Sequence, residues 1–335
     1  MVESIVKNDE INMIKNTPLG VSFKSIRYYP PHSHDECLEI LFCMKGSVTI
    51  VSADQEIILH SGDIFSIDPE DIHSVSSDSS DNLLIVLHIN MHELSIPYEK
   101  LRYAFFTCRS DHMSSQQRKI SYSIIDSMLT IAYMFASEEY SNDDYISRQY
   151  KYLADSMVKI MLENYELFDY VNSYQSGSRI SRERFGKLSA YCQQNYMNKI
   201  TLKGLAADEY INENYLSQFM AKSPYGSFSN MINYIRCYES EQLLVHTDLS
   251  NLEISYRCGF SDTKYFYRHF RKWYGRTPRE HKKLIKEKLQ LPANYRTVTT
   301  KEIYPQLQAF ISHYHTEKIR EFLFSDHRWS QRSDD

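Results

Sequence analysis

The chain has 335 residues, of which 42% are hydrophobic and 24% charged, and its formal net charge is −5. This length accommodates two domains with separate cores, and nine Gly and nine Pro are too few for a low-complexity or collagen-like chain. The six cysteines lack metal-ribbon spacing and the N-terminal residues lack an apolar signal region, which excludes a structural zinc finger and a secreted disulfide scaffold. A cytoplasmic protein without a membrane span is expected.

The net charge conceals opposite charges in the two halves of the chain. Residues 1–170 contain 13 Lys and Arg against 26 Asp and Glu, a net of −13, whereas residues 171–335 contain 25 against 17, a net of +8. Ten Lys or Arg and two Glu fall within residues 264–288 alone. A concentrated basic stripe indicates a polyanionic partner, although a solvated helix face can have the same composition.

The first 90 residues predict a small antiparallel β-barrel or sandwich. Short apolar runs alternate with turns rich in Pro, Gly, Asp and Ser, and this spacing is typical of antiparallel strands rather than of βαβ units. Six strands are predicted, at Val21–Tyr29, Glu39–Met44, Ser47–Val51, Glu56–His60, Ile64–Ile67 and Leu83–Ile89.

The next segment changes to a helical period. Apolar residues recur every three or four positions within 114–137 and again within 143–170, which predicts two amphipathic helices. Their apolar faces can pack on the barrel of the same chain or on a second subunit. We expect the second arrangement, and therefore a homodimer, because a helical hairpin beside a barrel forms a self-complementary patch.

A polar stretch with Ser and Gly at 172–182 predicts a linker between two domains. The chain before it divides into a barrel at 1–112 and a helical hairpin at 113–171. After the linker the chain is predicted to be helical over 183–290. Residues 291–335 form an extension of unknown role, with one more amphipathic helix and a frayed end.

Residues 202–222 and 252–272 repeat one pattern about fifty positions apart. Each segment has a short helix, a tight turn, a polar cap and a second helix with apolar residues four positions apart. Ala206 and Gly259 supply the small residue and the flexible turn that close packing of two helices requires. The pattern predicts two helix-turn-helix units, and the basic second copy makes double-stranded DNA the expected partner.

The stretch EISYRCGFSDTKYFYRHFRKWYGRTPREHKK (253–283) resembles the signature of the AraC/XylS family of bacterial transcription regulators. The resemblance covers roughly residues 185–288, and the matching positions are Ile254, Gly259, Phe260, Tyr265, Phe266, Phe270, Gly275 and Pro278. The sequence departs from the family pattern at Tyr210, where the first turn has no Gly, and at Pro224-Tyr225-Gly226. The resemblance implies two recognition helices, joined by a long helix at about Phe228–Val245, that enter major-groove faces about 34 Å apart.

Exposed polar side chains on the two predicted recognition helices are candidates for contacts with base edges. Asn and Gln can bond adenine, Arg and Lys can bond guanine, and Tyr or Thr can touch the thymine methyl group. The candidates are Asn214, Ser217, Gln218, Thr263, Lys264, Tyr267 and Arg268. A second, basic group is predicted to neutralise phosphates and to position the protein on the duplex. That group is Lys222, Arg271, Lys272, Arg276 and Arg279.

The barrel segment contains His32-Ser33-His34 and Glu39, followed later by Gly62-Asp63-Ile64-Phe65 and His73. These stretches resemble the two motifs of the cupin barrel, and the resemblance covers about residues 20–90. Residues two positions apart on a strand face the same side, so the first two histidines can share one cavity. With Glu39 and His73 they form a three-His, one-carboxylate set suited to Fe, Mn, Ni or Zn.

Three hypotheses stay open for this barrel. Many AraC/XylS regulators bind a sugar or another small molecule in a cupin domain without metal, and a metal-bound sensor is the second hypothesis. The third is a cupin enzyme such as a dioxygenase or an isomerase, which would leave the DNA-binding half without a role. On the first hypothesis the effector pocket is lined by His32, His34, Glu39, His73, Tyr28, Phe42 and Phe65.

The predicted fold is therefore α+β and multidomain, with an N-terminal cupin-like antiparallel barrel and helical hairpin and a C-terminal all-α double helix-turn-helix. The resemblance implies a homodimeric transcription activator rather than an enzyme. It implies a small carbohydrate-like effector, control of carbohydrate-utilisation genes and contact with RNA polymerase. No cofactor is expected, and a divalent metal in the barrel is the alternative.

Overall fold

A computed structural model of the chain describes residues 6–8, 11–52, 55–101, 104, 106, 108–110, 115–137, 144–165, 179–223 and 225–325. Within these residues nine strands form one sheet, and seven of them follow the order β5-β4-β7-β2-β8-β3-β6. The strands are β1 (Lys7–Asn8), β2 (Leu19–Ser33), β3 (Cys37–Lys45), β4 (Ser47–Ser52), β5 (Gln55–His60), β6 (Ile64–Ile67), β7 (His73–Ser76), β8 (Leu83–Asn90) and β9 (Asn294–Thr297).

The sheet is a nearly closed antiparallel barrel, which confirms the predicted fold of the N-terminal domain. All six predicted strands are present, and the structure adds the short β7, which pairs with β2 and β4. β1 and β9 both pair with β2, outside this seven-strand path. The long β2 therefore joins the N-terminal strand, the barrel and a strand from the far end of the chain.

Alternation along the strands separates the barrel interior from an outer core. On β3, Leu38, Ile40 and Phe42 belong to the outer core, whereas Leu41 and Cys43 belong to the interior cluster. Successive side chains of a strand point to opposite faces of the sheet, so the sequence position fixes which core each residue joins. A polar side chain of the same parity as the interior residues is thus directed into the barrel.

Helices cover the outer face of the barrel and build the C-terminal half. They are α1 (Tyr98–Leu101), α2 (Ser115–Ala136), α3 (Asp144–Asn164), α4 (Arg179–Asn195), α5 (Leu202–Asp208), α6 (Glu213–Ala221), α7 (Phe228–His246), α8 (Asn251–Arg257), α9 (Thr263–Tyr274), α10 (Pro278–Gln290) and α11 (Thr300–Ser325). None of the helices among the described residues is long and apolar enough to cross a membrane.

The apolar faces of α2 and α3 pack inside their own chain. Met128 of α2 and Met157 of α3 are fully buried in the same core as Phe23 and Ile40 of the barrel. This corrects the expectation that these two faces are left for a second subunit, because burying them against the barrel already removes them from water. A homodimer would have to use other surfaces.

The C-terminal extension returns to the N-terminal domain. β9 pairs with β2, with Lys24 opposite Thr297, and α11 packs against α2. Ile303 and Leu307 of α11 are fully buried in the outer core of the barrel. The predicted last helix is therefore present, and it forms part of the outer core of the barrel domain. The predicted frayed end, 329–335, lies outside the described residues.

Residues 172–178 of the predicted linker 172–182 lie outside the described residues. Residues 179–182 belong to α4. The helical C-terminal half has two apolar clusters, one for each helix-turn-helix unit. α7 contributes to both, with Met231 and Ile235 in the first and Leu244 and Val245 in the second. A helix shared by two cores fixes the two units relative to each other, as the resemblance implied.

Candidate DNA-binding surface and effector site

The first helix-turn-helix consists of α5 and α6. Tyr210 in its turn has φ of +54°, the left-handed conformation that Gly would supply without strain. The Asn212 side chain caps α6 by accepting hydrogen bonds from the backbone N–H groups of Asn214 and Tyr215. Leu216 is fully buried against α5, so the opposite face of α6 is directed to solvent. The three candidates on that face, Asn214, Ser217 and Gln218, are all exposed.

The second helix-turn-helix consists of α8 and α9 and repeats this construction. Gly259 has φ of +79° in the turn, and the Asp262 side chain caps α9. Phe266 and Phe270 are fully buried. Of the base-contact candidates, Lys264 and Arg268 are exposed, whereas Thr263 and Tyr267 are half-buried. The Tyr267 hydroxyl accepts a hydrogen bond from Asn251 Nδ2 at 2.7 Å, so this residue also ties α9 to α8.

The predicted phosphate-binding residues do not all lie in one environment. Lys222, Arg271 and Arg279 are exposed. Lys272 is also exposed, and its Nζ donates to Asn230 Oδ1 on α7 at 2.8 Å. Arg276 lines a cavity of about 30 Å³ between the C-terminal half and the barrel. Four of the five residues thus have side chains available to a duplex in this arrangement, and Arg276 faces the sensor domain.

Two exposed aromatic residues on the recognition helices were not among the sequence candidates. Tyr215 on α6 is 48% exposed and Tyr265 on α9 is 47% exposed, each directly before the fully buried residue of its helix. The guanidinium of Arg184 lies 5.3 Å from the Tyr215 ring centroid, and that of Arg268 lies 4.8 Å from the Tyr265 ring centroid. The repeat in the sequence could have identified them, because each tyrosine is the third residue after the N-cap of its helix, Asn212 or Asp262.

The barrel brings together the four residues predicted to form a polar site. One nitrogen or oxygen from each of His32, His34, Glu39 and His73 lies within 4.8 Å of the others, and all four side chains are buried. Glu39 Oε2 is 2.9 Å from His73 Nε2 and 3.1 Å from His34 Nε2. We call these four residues the His/Glu cluster.

The charge state of the His/Glu cluster follows from burial and mutual contact. Burial raises the pKa of Glu39, but attraction to His73 and the close contacts with His73 and His34 prevail and hold this pKa well below its usual value. Burial lowers the pKa of His73, but Glu39 raises it further, so that the net shift is upward. Burial and repulsion from His73 lower the pKa of His32 well below 6.5, and the weaker attraction of Glu39 does not reverse this shift.

The hydrogen bonds around the cluster suit a metal ion. His32 Nδ1 lies 2.9 Å from the Pro30 carbonyl and His73 Nδ1 lies 3.0 Å from the Asp71 carbonyl. A neutral imidazole that donates from Nδ1 to a carbonyl presents the lone pair of Nε2, as metal-bound histidines do. Glu39 Oε2 and His73 Nε2 are close but not aligned as a hydrogen bond with each other or with another described residue.

The separation of the ligand atoms is also close to what a metal requires. Ligand atoms at about 2.1 Å from an ion lie about 3.4 Å apart in a tetrahedral site and about 4.2 Å apart when they face each other in an octahedral site. The observed limit of 4.8 Å is slightly wider, so the cluster fits a first-row divalent ion after a small contraction. His32, His34, His73 and Glu39 would hold it.

The aromatic residues predicted to line the pocket are divided among different environments. Phe65 belongs to the interior cluster of the barrel. Phe42 belongs to the outer core and packs against Phe310 with centroids 5.6 Å apart, because its position on β3 has the opposite parity to Glu39. The Tyr28 hydroxyl donates to the Lys288 carbonyl of α10 at 2.7 Å. The placement of Phe42 corrects its pocket prediction, and the role of Tyr28 in the pocket stays a prediction.

His88 is a buried polar residue of the barrel that the sequence candidates did not include. Its Nε2 lies 3.4 Å from His34 Nε2 and 3.9 Å from Glu39 Oε1. Burial, and to a smaller extent the repulsion of His34, lowers the pKa of His88 to about 4 against the attraction of Glu39. On β8, Leu84 and Val86 are interior residues, so the same parity directs His88 inward.

Comparisons with known proteins agree with both halves of the structure. The family model for an AraC-like ligand binding domain matches residues 23–93, and a helix-turn-helix domain model matches residues 205–283. The chain is 34% identical over 109 residues to the uncharacterized HTH-type transcriptional regulator YijO of Escherichia coli (strain K12), which is 32% of this chain and 38% of that protein. The match thus spans less than half of YijO.

Two longer matches extend over most of the chain. The uncharacterized HTH-type transcriptional regulator YdeC of Bacillus subtilis (strain 168) is 23% identical over 270 residues, which is 77% of this chain and 87% of that protein. The crystal structure of ToxT from Vibrio cholerae O395 covers 80% of this chain and 98% of its own, with a TM-score of 0.42 and 12% identity. With an AraC-like ligand binding domain before a double helix-turn-helix, the chain belongs to the AraC family of DNA-binding transcription regulators.

Proposed function

We propose that the protein is a cytoplasmic, effector-controlled transcription activator that binds DNA as a homodimer and contacts RNA polymerase. The observation that carries the proposal is the pairing of a buried polar cluster in the barrel with two capped recognition helices in a basic half. The proposed base contacts are those of the exposed polar residues on α6 and α9. The proposed effector is a small carbohydrate-like molecule bound near the His/Glu cluster.

The names of two relatives support the activator role and the class of effector. The HTH-type transcriptional activator RhaS of Escherichia coli O6:H1 is 20% identical over 75% of this chain, and the Melibiose operon regulatory protein of Escherichia coli (strain K12) is 25% identical over 43% of it. A sugar needs several buried hydrogen-bonding groups, and the cluster supplies them. The chemistry of this site is binding, and no catalytic step is proposed.

Salt dependence tests the DNA-binding part of the proposal. A duplex is selected from a random library with the full-length protein, and its affinity is measured by fluorescence anisotropy. Between about 50 and 200 mM salt, a complex with six to ten phosphate contacts loses roughly a thousandfold or more in affinity. A salt-independent affinity would contradict the proposal.

A metal-dependent sensor is a second candidate function. It is favoured by the unaligned contact between Glu39 Oε2 and His73 Nε2 and by the two Nδ1 atoms held by backbone carbonyls. Thermal unfolding of metal-stripped protein against mono- and disaccharides, their phosphates and Zn²⁺ separates the two candidates. A ligand present at 100 times its dissociation constant stabilises the protein by about 2.7 kcal/mol. A response to a sugar without metal supports the first candidate, and a response to Zn²⁺ alone supports the second.

A further inference from the structure

Residues 68–73, with the sequence Asp-Pro-Glu-Asp-Ile-His, lie between the His/Glu cluster and the DNA-binding half. We call them the 68–73 segment. Its last residue, His73, is a member of the cluster. Its middle is joined to a second cluster residue, because the Glu70 N–H donates to the carbonyl of His34, directly after β2, at 2.9 Å. A change in the position of His34 or His73 therefore acts directly on this segment.

The other side of the segment contacts α7, the helix shared by the two helix-turn-helix units. Tyr238 donates from its hydroxyl to the Pro69 carbonyl at 3.3 Å, and Gln242 Nε2 donates to the Glu70 carbonyl at 3.0 Å. The two donors are one helical turn apart, so they bond successive carbonyls of the segment from one face of α7. The contact fixes the backbone of the segment and not merely its side chains.

Ile72 carries the contact into the DNA-binding core. Its side chain is only 6% exposed and belongs to the same apolar cluster as Phe266 and Phe270, the two residues that anchor recognition helix α9. A sensor-domain residue is thus part of the core of the second helix-turn-helix. Because His73 follows Ile72 directly, one peptide unit joins a cluster residue to the core behind α9.

The backbone of the segment is held in an uncommon conformation. Glu70 has φ of +69°, in the left-handed region that costs a residue with a side chain roughly 1–3 kcal/mol. Such conformations persist where surrounding contacts impose them, and here His34 and Gln242 bond the two sides of the same residue. Loss of either contact favours a different backbone at this position.

We propose that the 68–73 segment transmits the state of the His/Glu cluster to the DNA-binding half, with Tyr238, Gln242 and Ile72 as positioning residues. The proposal rests on the proposed function, since it assumes an effector-controlled regulator. It adds the route: an occupant of the cluster repositions His73, and the segment then shifts α7 and the core behind α9. Allosteric coupling of this kind typically changes affinity by about 5- to 150-fold.

A double-mutant cycle in the full-length protein tests the route whatever the natural effector is. Glu39→Gln changes the charge of the cluster while keeping the size of the side chain, and Tyr238→Phe with Gln242→Ala removes both bonds from α7. In the parent, Glu39→Gln should change the dissociation constant for a selected duplex by about fivefold or more. In the Tyr238→Phe/Gln242→Ala background the same substitution should change it by less than about twofold.

Asn233→Ala is the matched control, because Asn233 lies on α7 and, among the residues that the structure describes, its Nδ2 bonds Ser229 of the same helix. In this background Glu39→Gln should retain its full effect. Saturating Zn²⁺ replaces Glu39→Gln as the perturbation if that variant does not fold. The route is overturned if Glu39→Gln changes the dissociation constant equally in the parent and in the Tyr238→Phe/Gln242→Ala variant, or not at all in the parent. Salt-dependent DNA binding would still stand in either case. Loss of salt dependence in the parent overturns the proposed function itself.

Discussion

Gly259 and Tyr210 occupy equivalent turns of the two helix-turn-helix units. Gly259→Ala should nevertheless lower the free energy of unfolding, whereas Tyr210→Gly should raise it. Both residues have left-handed backbones, with φ of +79° and +54°. A Cβ on Gly259 would lie 2.6 Å from the Tyr196 carbonyl oxygen and 2.8 Å from Met197 Cα, so backbone atoms would have to move. The Tyr210 side chain is 96% exposed and meets no such obstacle.

The magnitudes follow from these two situations. For Gly259→Ala, the left-handed conformation costs roughly 1–2 kcal/mol and the crowding against backbone roughly 1–3 kcal/mol, so we expect a loss of about 2–5 kcal/mol. Tyr210→Gly removes the conformational cost of roughly 1–2 kcal/mol. It also lowers stability by about 0.4–1 kcal/mol, because Gly gives the unfolded chain more conformational freedom. The net change is a stabilisation between zero and about 1.5 kcal/mol.

Urea unfolding of the full-length protein measures both changes. Trp273 lies on α9 beside Tyr234, with ring centroids 5.1 Å apart, so its fluorescence reports on the DNA-binding half. Trp329→Phe serves as the background in which Trp273 is the single tryptophan. The reasoning is refuted if Gly259→Ala costs no more than Tyr210→Ala, which keeps the left-handed backbone but adds no crowding.

Three further outcomes are expected. Leu307→Ala should destabilise the barrel domain by roughly 2–5 kcal/mol, because this residue of the C-terminal extension is fully buried in the outer core. Calorimetry measures the change, and Gln308→Ala, at an exposed position of the same helix, is the control. Arg268→Ala should weaken binding to the selected duplex by about 1–3 kcal/mol and relax specificity at one base, whereas Lys222→Ala should weaken all duplexes alike. Protonation of His32 and His88 should destabilise the barrel as pH drops from about 6.5 to 4, because their lowered pKa values keep both rings neutral in the folded protein while the unfolded chain takes up protons. His73, Asp68 and Asp71 have raised pKa values and act in the opposite direction, so the test is a comparison of variants. In urea unfolding at both pH values, His88→Asn should lose less stability than the parent, or gain more, as the pH is lowered.

Local sequence patterns predicted the strands, the helices and the repeated turn because each is set by neighbours along the chain. The alternation on β3 and β8 is equally local, and applying it to Glu39 would have excluded Phe42 from the pocket and included His88. His88 was hidden because it interrupts an otherwise apolar run with a single polar residue. β7 was missed because its four residues include one apolar side chain, whereas the equally short β6 includes three.

The partners of the amphipathic helices could not be predicted in this way. A stripe of apolar residues shows that a helix face is buried, but not which surface buries it. The faces of α2 and α3 were therefore assigned to a second subunit, whereas the barrel and α11 cover them. The position of Ile72 in the DNA-binding core was equally hidden, since that contact joins residues more than 160 positions apart in the chain.

The return of the chain to the barrel limits how an effector can act. Only residues 291–293 separate the end of α10 at Gln290 from β9, and three extended residues span at most about 11 Å. β9 is paired with β2, the strand that carries His32 and ends directly before His34. While this pairing lasts, the DNA-binding half cannot swing free of the sensor on its C-terminal side. On the proposed route, an effector at the His/Glu cluster would therefore reorient the recognition helices about this short connection, through the 68–73 segment that contacts α7.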